Sequence, residues 1–282
     1  MRIDDELRER KRVVEEELGR LLGGRDSRLY QAMRHAVLDG GKRFRPLLLL
    51  SAGTALGAGL PPLLPFACGL ELIHCYSLVH DDLPAMDDDD IRRGRPSCHK
   101  AFGEGLAILA GDALLTLAFE AMAAAPLAPP YSERRASVIE EIGRRAGGEG
   151  MIDGQARDIL YCGEALNEAA LLEIAEKKTG GLIIAAVKAG AMLAGASAAQ
   201  LAALAEYGRN VGAAFQLRDD LQDASPAPSS QGRPNPRPSL TALFGEAESR
   251  LRLRRHVERA IEALDGLPLR SEALARLAGR LL

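Results

Sequence analysis

Two groups of aspartates follow apolar segments and have the residue types and spacing for metal chemistry. The first runs from Asp81 to Asp90 in the stretch DDLPAMDDDD. The second, FQLRDDLQD, contains Asp219, Asp220 and Asp223, of which the first and last share one face of a helix. Two such groups can face one another across a helical bundle. They would then need cations, because unpaired buried carboxylates are very costly.

The acidic groups favour a hard metal ion. Carboxylates without nearby His or Cys ligands suit Mg²⁺, which usually binds through one or two carboxylates and keeps sites for water and substrate phosphates. For the first group alone, the alternative is a solvated acidic loop or a Ca²⁺ site. The Gly and distal Glu of an EF-hand loop are absent there. The spacing therefore predicts metal bridges to a phosphorylated ligand, with Asp88, Asp89 and Asp90 as solvated neighbours.

Basic residues that suit a diphosphate occur in three places. They are Lys42, Arg43 and Arg45 in GGKRFRP, Arg92 and Arg93 after the first acidic group, and Lys177 and Lys178 in EKKTGGLI. We expect Lys177, Lys178 and Thr179 to begin a helix, where backbone N–H groups and the helix dipole favour anions. One basic turn alone is usually solvated surface, but three of them beside two acidic groups indicate a diphosphate site.

The composition favours one all-α domain covering residues 1–282. The apolar fraction of 47% comes mostly from Ala and Leu, and only 4% of the residues are aromatic, which suits packed helices better than strands. A net charge of -3 excludes an overall basic surface for nucleic acid. The charged N-terminus has no apolar signal region, and the four cysteines form no CxxC motif, so we expect a cytoplasmic protein with reduced thiols.

Helical periodicity, capping residues and Gly or Pro breakers predict twelve helices and no strand. The predicted helices cover residues 4–22, 27–39, 44–57, 62–82, 100–123, 132–146, 168–175, 177–194, 198–223, 239–245, 246–264 and 270–281. The uncharged stretch 189–205 is too short to span a bilayer, so no membrane insertion is expected. Residues 224–240, with five prolines between 226 and 238, are predicted to form a loop.

Six motifs, in order along the chain, resemble those of a known family. They are GGKRFRP, ELIHCYSLVHDDLPAMDDDDIRRGRPSCH, LAGDALLTLAF, GMIDGQARDI, KKTGGLI and FQLRDDLQD. This set resembles the bacterial trans-isoprenyl diphosphate synthases, also called polyprenyl synthetases, and the farnesyl diphosphate synthases most closely. The resemblance covers essentially the whole chain.

The resemblance implies a fold, a reaction and partners. The fold is an all-α, isoprenoid-synthase-type helical bundle around a deep central apolar pocket, usually assembled as a homodimer. The reaction is the Mg²⁺-dependent head-to-tail condensation of isopentenyl diphosphate with an allylic diphosphate, dimethylallyl or geranyl, to give farnesyl diphosphate. The two diphosphates are thus the expected substrates.

The same resemblance assigns roles to individual residues. Asp81, Asp82, Asp87 and Asp219 are the implied Mg²⁺ ligands, with Asp220 and Asp223 behind them. Arg92, Lys178 and Asp158 line the allylic site, and Lys42, Arg45, His74 and Arg93 hold the diphosphate of isopentenyl diphosphate. Oxygens of Lys178, Thr179 and Gln216 match positions that face the carbocation. Gln155 and Asp158 also fit a polar pair that packs two helices.

Product length is implied by the residues just before the first acidic motif. In this family, the positions five and four before the first aspartate build the floor of the pocket. Here they are Tyr76 and Ser77. An aromatic side chain at Tyr76 should stop growth at fifteen carbons, which favours farnesyl diphosphate.

The loop after the second acidic motif departs from the family pattern. Two Gly-Lys pairs are expected there, but this chain offers only Arg233 and Arg237 in a proline-rich loop, and arginine does not reproduce the compact charge of lysine. This departure leaves open a catalytically impaired paralogue that binds isoprenoid diphosphates or regulates a partner synthase. A geranylgeranyl synthase and another short-chain synthase also stay open as alternatives.

Two other enzyme classes fit the sequence less well. A terpene cyclase usually mixes Asn, Ser or Thr with Glu in its second metal motif, where this chain has DDLQD. A metal-dependent phosphohydrolase would share a His-Asp pair such as that in VHDD, but it needs further His ligands, and the five histidines form no convincing set.

Overall fold

The computed structural model describes residues 2–162, 164, 166–223, 239–267 and 270–282. In this part of the chain, helices form nearly all of the regular structure, so the all-α prediction is confirmed. Helices α1 to α14 are Ile3–Leu22, Arg28–Leu38, Phe44–Ala55, Leu60–Asp81, Cys98–Phe102, Glu104–Ala123, Tyr131–Ala146, Met151–Leu160, Glu168–Ala175, Gly181–Ala194, Ala198–Asp223, Leu240–Phe244, Glu246–Glu262 and Glu272–Gly279. A π-helix, Glu176–Gly180, joins α9 to α10.

The centre of the fold is α10, which packs against α3, α4, α7 and α11. Eleven of its fourteen residues are buried. Its contact with α3 depends on a glycine, because a Cβ on Gly190 would lie 2.2 Å from the carbonyl oxygen of Leu49. Around this centre, the buried apolar residues from Leu7 to Leu281 form one contiguous cluster.

A small antiparallel ribbon, which the sequence analysis did not predict, follows the first acidic motif. Strand β1 (Ile91–Arg92) pairs with β2 (Arg95–Pro96). Arg93 and Gly94 form the turn with φ values of 55° and 77°, the left-handed pair typical of a type I′ hairpin. Strands of two residues are too short to produce a period-2 pattern, so the prediction of no strand was wrong here.

Helix α8 was also missed, because its buried face is not apolar. Its buried residues are Met151, Gly154 and Asp158, whereas Ile159 and Leu160 are exposed. A search for apolar periodicity therefore finds no helix there. The predicted helix 100–123 is in fact two helices, α5 and α6, separated at Gly103, where φ is 89°.

Two helices are long and apolar enough to cross a bilayer by length and composition alone. In its most apolar window, α4 is 67% buried, and α6 is 39% buried. The two helices pack against each other within the bundle. Buried core helices share this length and composition, so the two segments are weak evidence for a membrane span.

Candidate active site

The first acidic motif lies at the C-terminal end of α4. The Asp82 N–H donates to the carbonyl oxygen of Leu78 at 3.1 Å, which completes the last turn. The Asp87 N–H then donates to the carbonyl oxygen of Asp81 at 2.8 Å. This bond folds the chain back, so Asp81 and Asp87 lie together at one end of the helix, as the predicted metal site requires.

Asp82, the second aspartate of this motif, is buried and paired. Asp82 is only 2% exposed. Its Oδ1 accepts hydrogen bonds from Nε of Arg92 at 2.9 Å and from Nη2 of the same side chain. Arg92 also donates to Asp89 at 2.9 Å. Burial raises the pKa of Asp82, while the hydrogen bonds from Arg92 oppose that shift. From β1, Arg92 therefore pairs with two aspartates of this stretch, Asp82 and Asp89.

In the second acidic motif, at the end of α11, Asp219 and Asp220 have different environments. Burial raises the pKa of Asp219 to about 6, although the positive charges of Lys42 and Arg45 act in the opposite direction. Asp220 is held on both sides, because its carboxylate accepts from Gln216 Nε2 and from the Leu240 N–H, both at 2.7 Å. Asp219 is thus the carboxylate of this motif that faces the basic residues, and Asp220 fixes α12 to α11.

His74 on α4 lies within a group of guanidinium charges. Burial lowers its pKa well below the ordinary value, and the charges of Arg45, Arg93 and Arg92 lower it further. The imidazole is therefore neutral at neutral pH. We call Arg45, His74, Arg92 and Arg93 the basic cluster. The positive charge of Arg45 lowers the pKa of Asp219, and Arg92 donates to Asp82, so the cluster has a member near each acidic motif.

Arg45 of the basic cluster is buried and lacks part of its hydrogen bonding. It is 8% exposed, and its Nε has no hydrogen-bond partner among the described residues. Burial lowers its pKa. Its guanidinium lies 5.8 Å from the ring centroid of Phe215, which in turn packs against Phe44 at 5.5 Å. The sequence analysis assigned no role to Phe215, although it immediately precedes Gln216 in the second acidic motif.

The neighbouring basic residues of GGKRFRP point in different directions. Lys42 is exposed. Arg43 is 2% exposed and has a left-handed backbone with φ of 51°. Its Nη1 donates to Glu71 at 2.8 Å and its Nη2 to the carbonyl oxygen of Val37 at 2.7 Å. Arg43 therefore anchors α3 to α4, a role that the sequence could have signalled through the lone acid Glu71 in an apolar helix.

Arg93 reaches this segment from the turn of the hairpin. Its Nη1 donates to the carbonyl oxygen of Gly40. A Cβ on Gly41, where φ is 136°, would lie 3.2 Å from the guanidinium carbon of Arg93. Gly41 thus leaves room for the guanidinium beside the backbone that leads to Lys42.

The segment EKKTGG was predicted to begin a helix, and this prediction was wrong. The chain runs from α9 through the π-helix into α10 without interruption, and the helix N-terminus lies at Glu168, where Asn167 caps the Ala170 N–H at 2.9 Å. Lys177 and Lys178 therefore lie inside a continuous helix. The backbone N–H groups expected to bind an anion there are internal to that helix.

The π-helix holds two of the predicted site residues, Lys178 and Thr179, and each is hydrogen-bonded to a different helix. Lys178 Nζ donates to Asp158 at 2.6 Å, Thr179 Oγ1 donates to Gln216 Oε1 at 2.7 Å, and Gln216 continues to Asp220. A π-helix is rare and often occurs at a functional site. Here it places Lys178 toward α8 and Thr179 toward α11.

Close helix approaches enclose this turn. A Cβ on Gly154 of α8 would lie 2.3 Å from the backbone nitrogen of Lys178, and a Cβ on Gly212 of α11 would lie 2.8 Å from Cα of Gly180. Both obstacles are backbone atoms. Next to Gly154, both amide atoms of Gln155 are buried without a hydrogen-bond partner in the described part of the chain.

Tyr76 and Ser77, the predicted floor residues, lie on α4. Tyr76 is 6% exposed, packs edge-on against His80, and has a buried hydroxyl without a partner among the residues described. Burial raises its pKa to about 12, and the charge of Asp81 adds to this shift. Ser77 donates to the carbonyl oxygen of His74 at 2.9 Å. The deep pocket above these residues stays a prediction.

Three further arginines remain to be placed, namely Arg233 and Arg237 of the proline-rich loop and Arg280 near the C-terminus. Arg233 and Arg237 lie outside the described residues. Arg280 donates to Asp4 at 3.0 Å. A cleft of about 350 Å³ lies between Lys42, Phe215 and Arg280 at this side of the bundle.

Residues 26–237 match the family model of the polyprenyl synthetases. The chain belongs to the polyprenyl synthetase family. The family prediction from the six motifs is thereby confirmed, and it also accounts for the basic cluster between two acidic motifs. The match includes every residue predicted to bind metal or diphosphate.

Relatives and solved structures agree with this membership. The chain is 41% identical over 281 residues to a farnesyl diphosphate synthase of Geobacillus stearothermophilus, covering 97% of this chain and 95% of the relative. It is also 41% identical over 219 residues to a geranylgeranyl diphosphate synthase of Cyanophora paradoxa, covering 77% and 73%. The apo crystal structure of an FPP/GFPP synthase from Zymomonas mobilis superposes with a TM-score of 0.87 at 31% identity, covering 98% and 97%.

Proposed function

We propose that this polyprenyl synthetase condenses isopentenyl diphosphate with dimethylallyl or geranyl diphosphate, in a Mg²⁺-dependent reaction, to give farnesyl diphosphate. The observation that carries the proposal is the basic cluster of Arg45, His74, Arg92 and Arg93, which connects two carboxylate motifs. Two diphosphates and their metal ions need this combination of charges. The names of the relatives support the same reaction.

The donor set of the two motifs fits Mg²⁺. Asp81, Asp82, Asp87 and Asp219 offer only carboxylate oxygens, the ligands that a hard ion prefers. Asp219 keeps a pKa near 6 despite its cationic neighbours, so the protein alone neutralises its charge incompletely. When bound, Mg²⁺ would neutralise charge on the departing diphosphate.

Separate sets of residues would bind the two substrates. Lys42, Arg45, His74 and Arg93 would hold the diphosphate of isopentenyl diphosphate, and neutral His74 would contribute a hydrogen bond rather than a charge. Arg92 and Lys178 would bind the allylic diphosphate. Both are paired with carboxylates in the described structure, Arg92 with Asp82 and Lys178 with Asp158, so each can exchange that partner for a phosphate oxygen.

Bond cleavage requires charge stabilisation on both fragments. Breaking the allylic C–O bond leaves a carbocation and a diphosphate, and donors placed in advance on the diphosphate lower the barrier. The oxygens of Thr179 and Gln216, held by their mutual hydrogen bond, would face the cation. The double bond of isopentenyl diphosphate attacks the cation, and the departing diphosphate accepts the proton that is lost.

Tyr76 supports fifteen carbons as the product length. Its bulk fills the position that would form the pocket floor, and Ser77 follows it directly in α4. A geranylgeranyl synthase is the second candidate, and the 41% identity to the Cyanophora paradoxa relative favours it. An impaired paralogue is the third, because the loop after the second acidic motif has Arg233 and Arg237 instead of the lysines of the two expected Gly-Lys pairs.

The chain is further proposed to act as a homodimer in the cytoplasm. Helix α6 leaves Ile108 and Leu109 45% and 56% exposed, on a helix whose most apolar window is only 39% buried. A second copy of α6 would cover this face, as in a two-fold symmetric interface. Cys68, Cys75 and Cys98 are buried thiols without a disulfide, which suits a reducing compartment.

A product assay tests the proposed reaction. Purified protein is incubated with isopentenyl diphosphate and, separately, with each of dimethylallyl, geranyl and farnesyl diphosphate, with and without Mg²⁺, and the chain length of the product is measured. A C15 product that requires Mg²⁺ supports the proposal. A C20 product supports the second candidate, and no condensation with any starter supports the third.

A further inference from the structure

A buried histidine lies beside two aspartates that the proposed reaction does not use. A ring nitrogen of His99 and carboxylate oxygens of Asp88 and Asp90 all lie within 4.8 Å of one another. His99 is 6% exposed, whereas both aspartates are exposed. The sequence analysis interpreted these aspartates as solvated neighbours without a nearby histidine. The fold corrects that interpretation, because the hairpin between Asp90 and His99 brings them together.

Only one of the two ring nitrogens of His99 has a hydrogen-bond partner among the described residues. Its Nδ1 lies 3.0 Å from Ser97 Oγ, and Ser97 is itself tied to the acidic loop through its N–H, which donates to the carbonyl oxygen of Asp90 at 2.8 Å. Nε2 is buried and has no hydrogen-bond partner among the described residues. A ring with Nδ1–H on Ser97 keeps the Nε2 lone pair available, which is the arrangement of most metal-binding histidines.

We propose that Asp88, Asp90 and His99 bind a divalent transition-metal ion, such as Zn²⁺ or Mn²⁺, at a site separate from the proposed Mg²⁺ ligands. One imidazole with two carboxylates suits these ions better than Mg²⁺. Ligand atoms about 2.1 Å from one ion lie at most about 4.2 Å apart. The exposed aspartates reach that spacing from 4.8 Å by a small side-chain rotation, and water completes the coordination.

Lys100 is the rival cation at this place. Its Nζ lies 2.8 Å from Oδ1 of Asp90. That contact pairs Lys100 with one oxygen of Asp90, but it does not account for the position of Asp88 or for the unpartnered Nε2 of His99 among the described residues. Lys100 is exposed, so its flexible side chain can withdraw when an ion binds.

The proposed ion would fasten the base of the hairpin. Asp88 and Asp90 precede β1, and His99 follows β2 in α5. The hairpin between them carries Arg92 and Arg93, which contact Asp82 and Gly40. An ion at the base would therefore fix the segment that presents both guanidinium groups to the diphosphates, without contacting either substrate.

Calorimetry and X-ray absorption test the site without relying on activity. The full chain is stripped of metal and titrated with Zn²⁺ in the absence of diphosphate, in a background carrying Asp81→Asn and Asp219→Asn so that the acidic motifs contribute less. Zn²⁺ K-edge absorption then identifies the ligands. The test variant is His99→Gln, and the matched control is His256→Gln, a partly buried histidine on α13 bonded to Asn210.

We expect one Zn²⁺ per chain with imidazole in its shell, weakened tenfold or more by His99→Gln and unchanged by His256→Gln. A shell of oxygen alone in the background protein overturns the proposal whether or not the His99 variant folds. Zn²⁺ bound with equal affinity by a folded His99→Gln protein also overturns it. The natural protein is titrated in parallel, and Zn²⁺ that it binds but the background protein does not would overturn the proposal by assigning the ion to the acidic motifs.

Discussion

Arg45 is buried and Asp219 is partly buried, and the described residues do not compensate either charge completely. Arg45 Nε has no hydrogen-bond partner in that part of the chain, and burial raises the pKa of Asp219 to about 6. Uncompensated buried charges destabilise a fold, so their retention is explained if ligands complete them. The sequence predicted both residues through the family motifs. It did not predict that Arg92 would already be bound to Asp82, because that pair depends on the hairpin.

The raised pKa of Asp219 predicts how stability depends on pH. A carboxyl whose pKa rises from 3.8 unfolded to about 6 folded stabilises the fold only while protonated, and this contribution is lost as pH increases through 6. Asp219→Asn should therefore be more stable than the natural protein at pH 8 in metal-free buffer, by up to about 3 kcal/mol. The difference should vanish below about pH 4. Urea unfolding at both pH values measures it.

The control for this experiment is Asp265→Asn, at an exposed surface position, which should change the free energy of unfolding by less than about 0.5 kcal/mol. A natural protein that is more stable than the Asp219 variant at pH 8 would contradict the prediction. It would mean that Lys42 and Arg45 neutralise this carboxylate fully before metal arrives.

Tyr76 provides a prediction about product length. Tyr76→Ala removes the ring from the proposed pocket floor, so the main product should lengthen from C15 to C20 or more. Tyr76→Phe keeps the ring and loses only a hydroxyl that has no hydrogen-bond partner in the described residues, so its product should stay C15. Chromatography of the dephosphorylated products measures both. An unchanged C15 product from Tyr76→Ala would show that another residue forms the floor.

Among the helices and strands, the π-helix is the feature that sequence reasoning could not find. Its Lys and Thr occur in a quoted motif, but a π turn within a continuous helix has no apolar period of its own. Helix α8 was missed for a related reason, since Gly154 and Asp158 form its buried face. The remaining α-helices follow apolar stripes or capping residues, and their ends were predicted to within a few residues, except that α5 and α6 were predicted as one helix.

The glycine contacts around the π-helix can be tested by adding a methyl group. In Gly154→Ala, the new Cβ would lie 2.3 Å from the Lys178 nitrogen, and backbone cannot move aside without shifting the turn. We expect a loss of about 1–3 kcal/mol in the free energy of unfolding, together with a lower kcat because Lys178 and Thr179 move.

The matched control is Gly19→Ala in α1, where a Cβ meets nothing within 4 Å. It should stabilise the helix by about 0.5–1 kcal/mol and leave kcat unchanged. Thermal unfolding and steady-state kinetics of the two variants separate the effects. A Gly154→Ala protein with natural stability and kcat would show that α8 does not hold the π-helix in place.

For the molecule as a whole, the described residues form one contiguous core and leave an apolar face of α6 open. The core cluster extends from Leu7 to Leu281, which supports the proposed single domain. The apolar face lies on α6 around Ile108 and Leu109. The sequence predicted the helix but not its exposed side, because almost every position of α6 is apolar and periodicity cannot separate the two faces.

A charge on that face should prevent dimer formation. Leu109→Arg would bury an unpaired guanidinium between two copies of α6, so we expect a monomer in sedimentation equilibrium at concentrations where the natural protein is a dimer. Leu160→Arg, at a position on α8 that is 73% exposed, is the control and should remain dimeric. A dimeric Leu109→Arg protein would place the interface elsewhere.

We expect both acidic motifs to hold metal ions against one diphosphate. Crystals of the full chain grown with Mn²⁺ and inorganic diphosphate, measured at the manganese edge, test this directly. We expect anomalous peaks in direct contact with oxygens of Asp81 or Asp87 on one side and of Asp219 on the other, both bridged by the diphosphate. A diphosphate bound by guanidinium groups alone, or metal at only one of the two motifs, would contradict it.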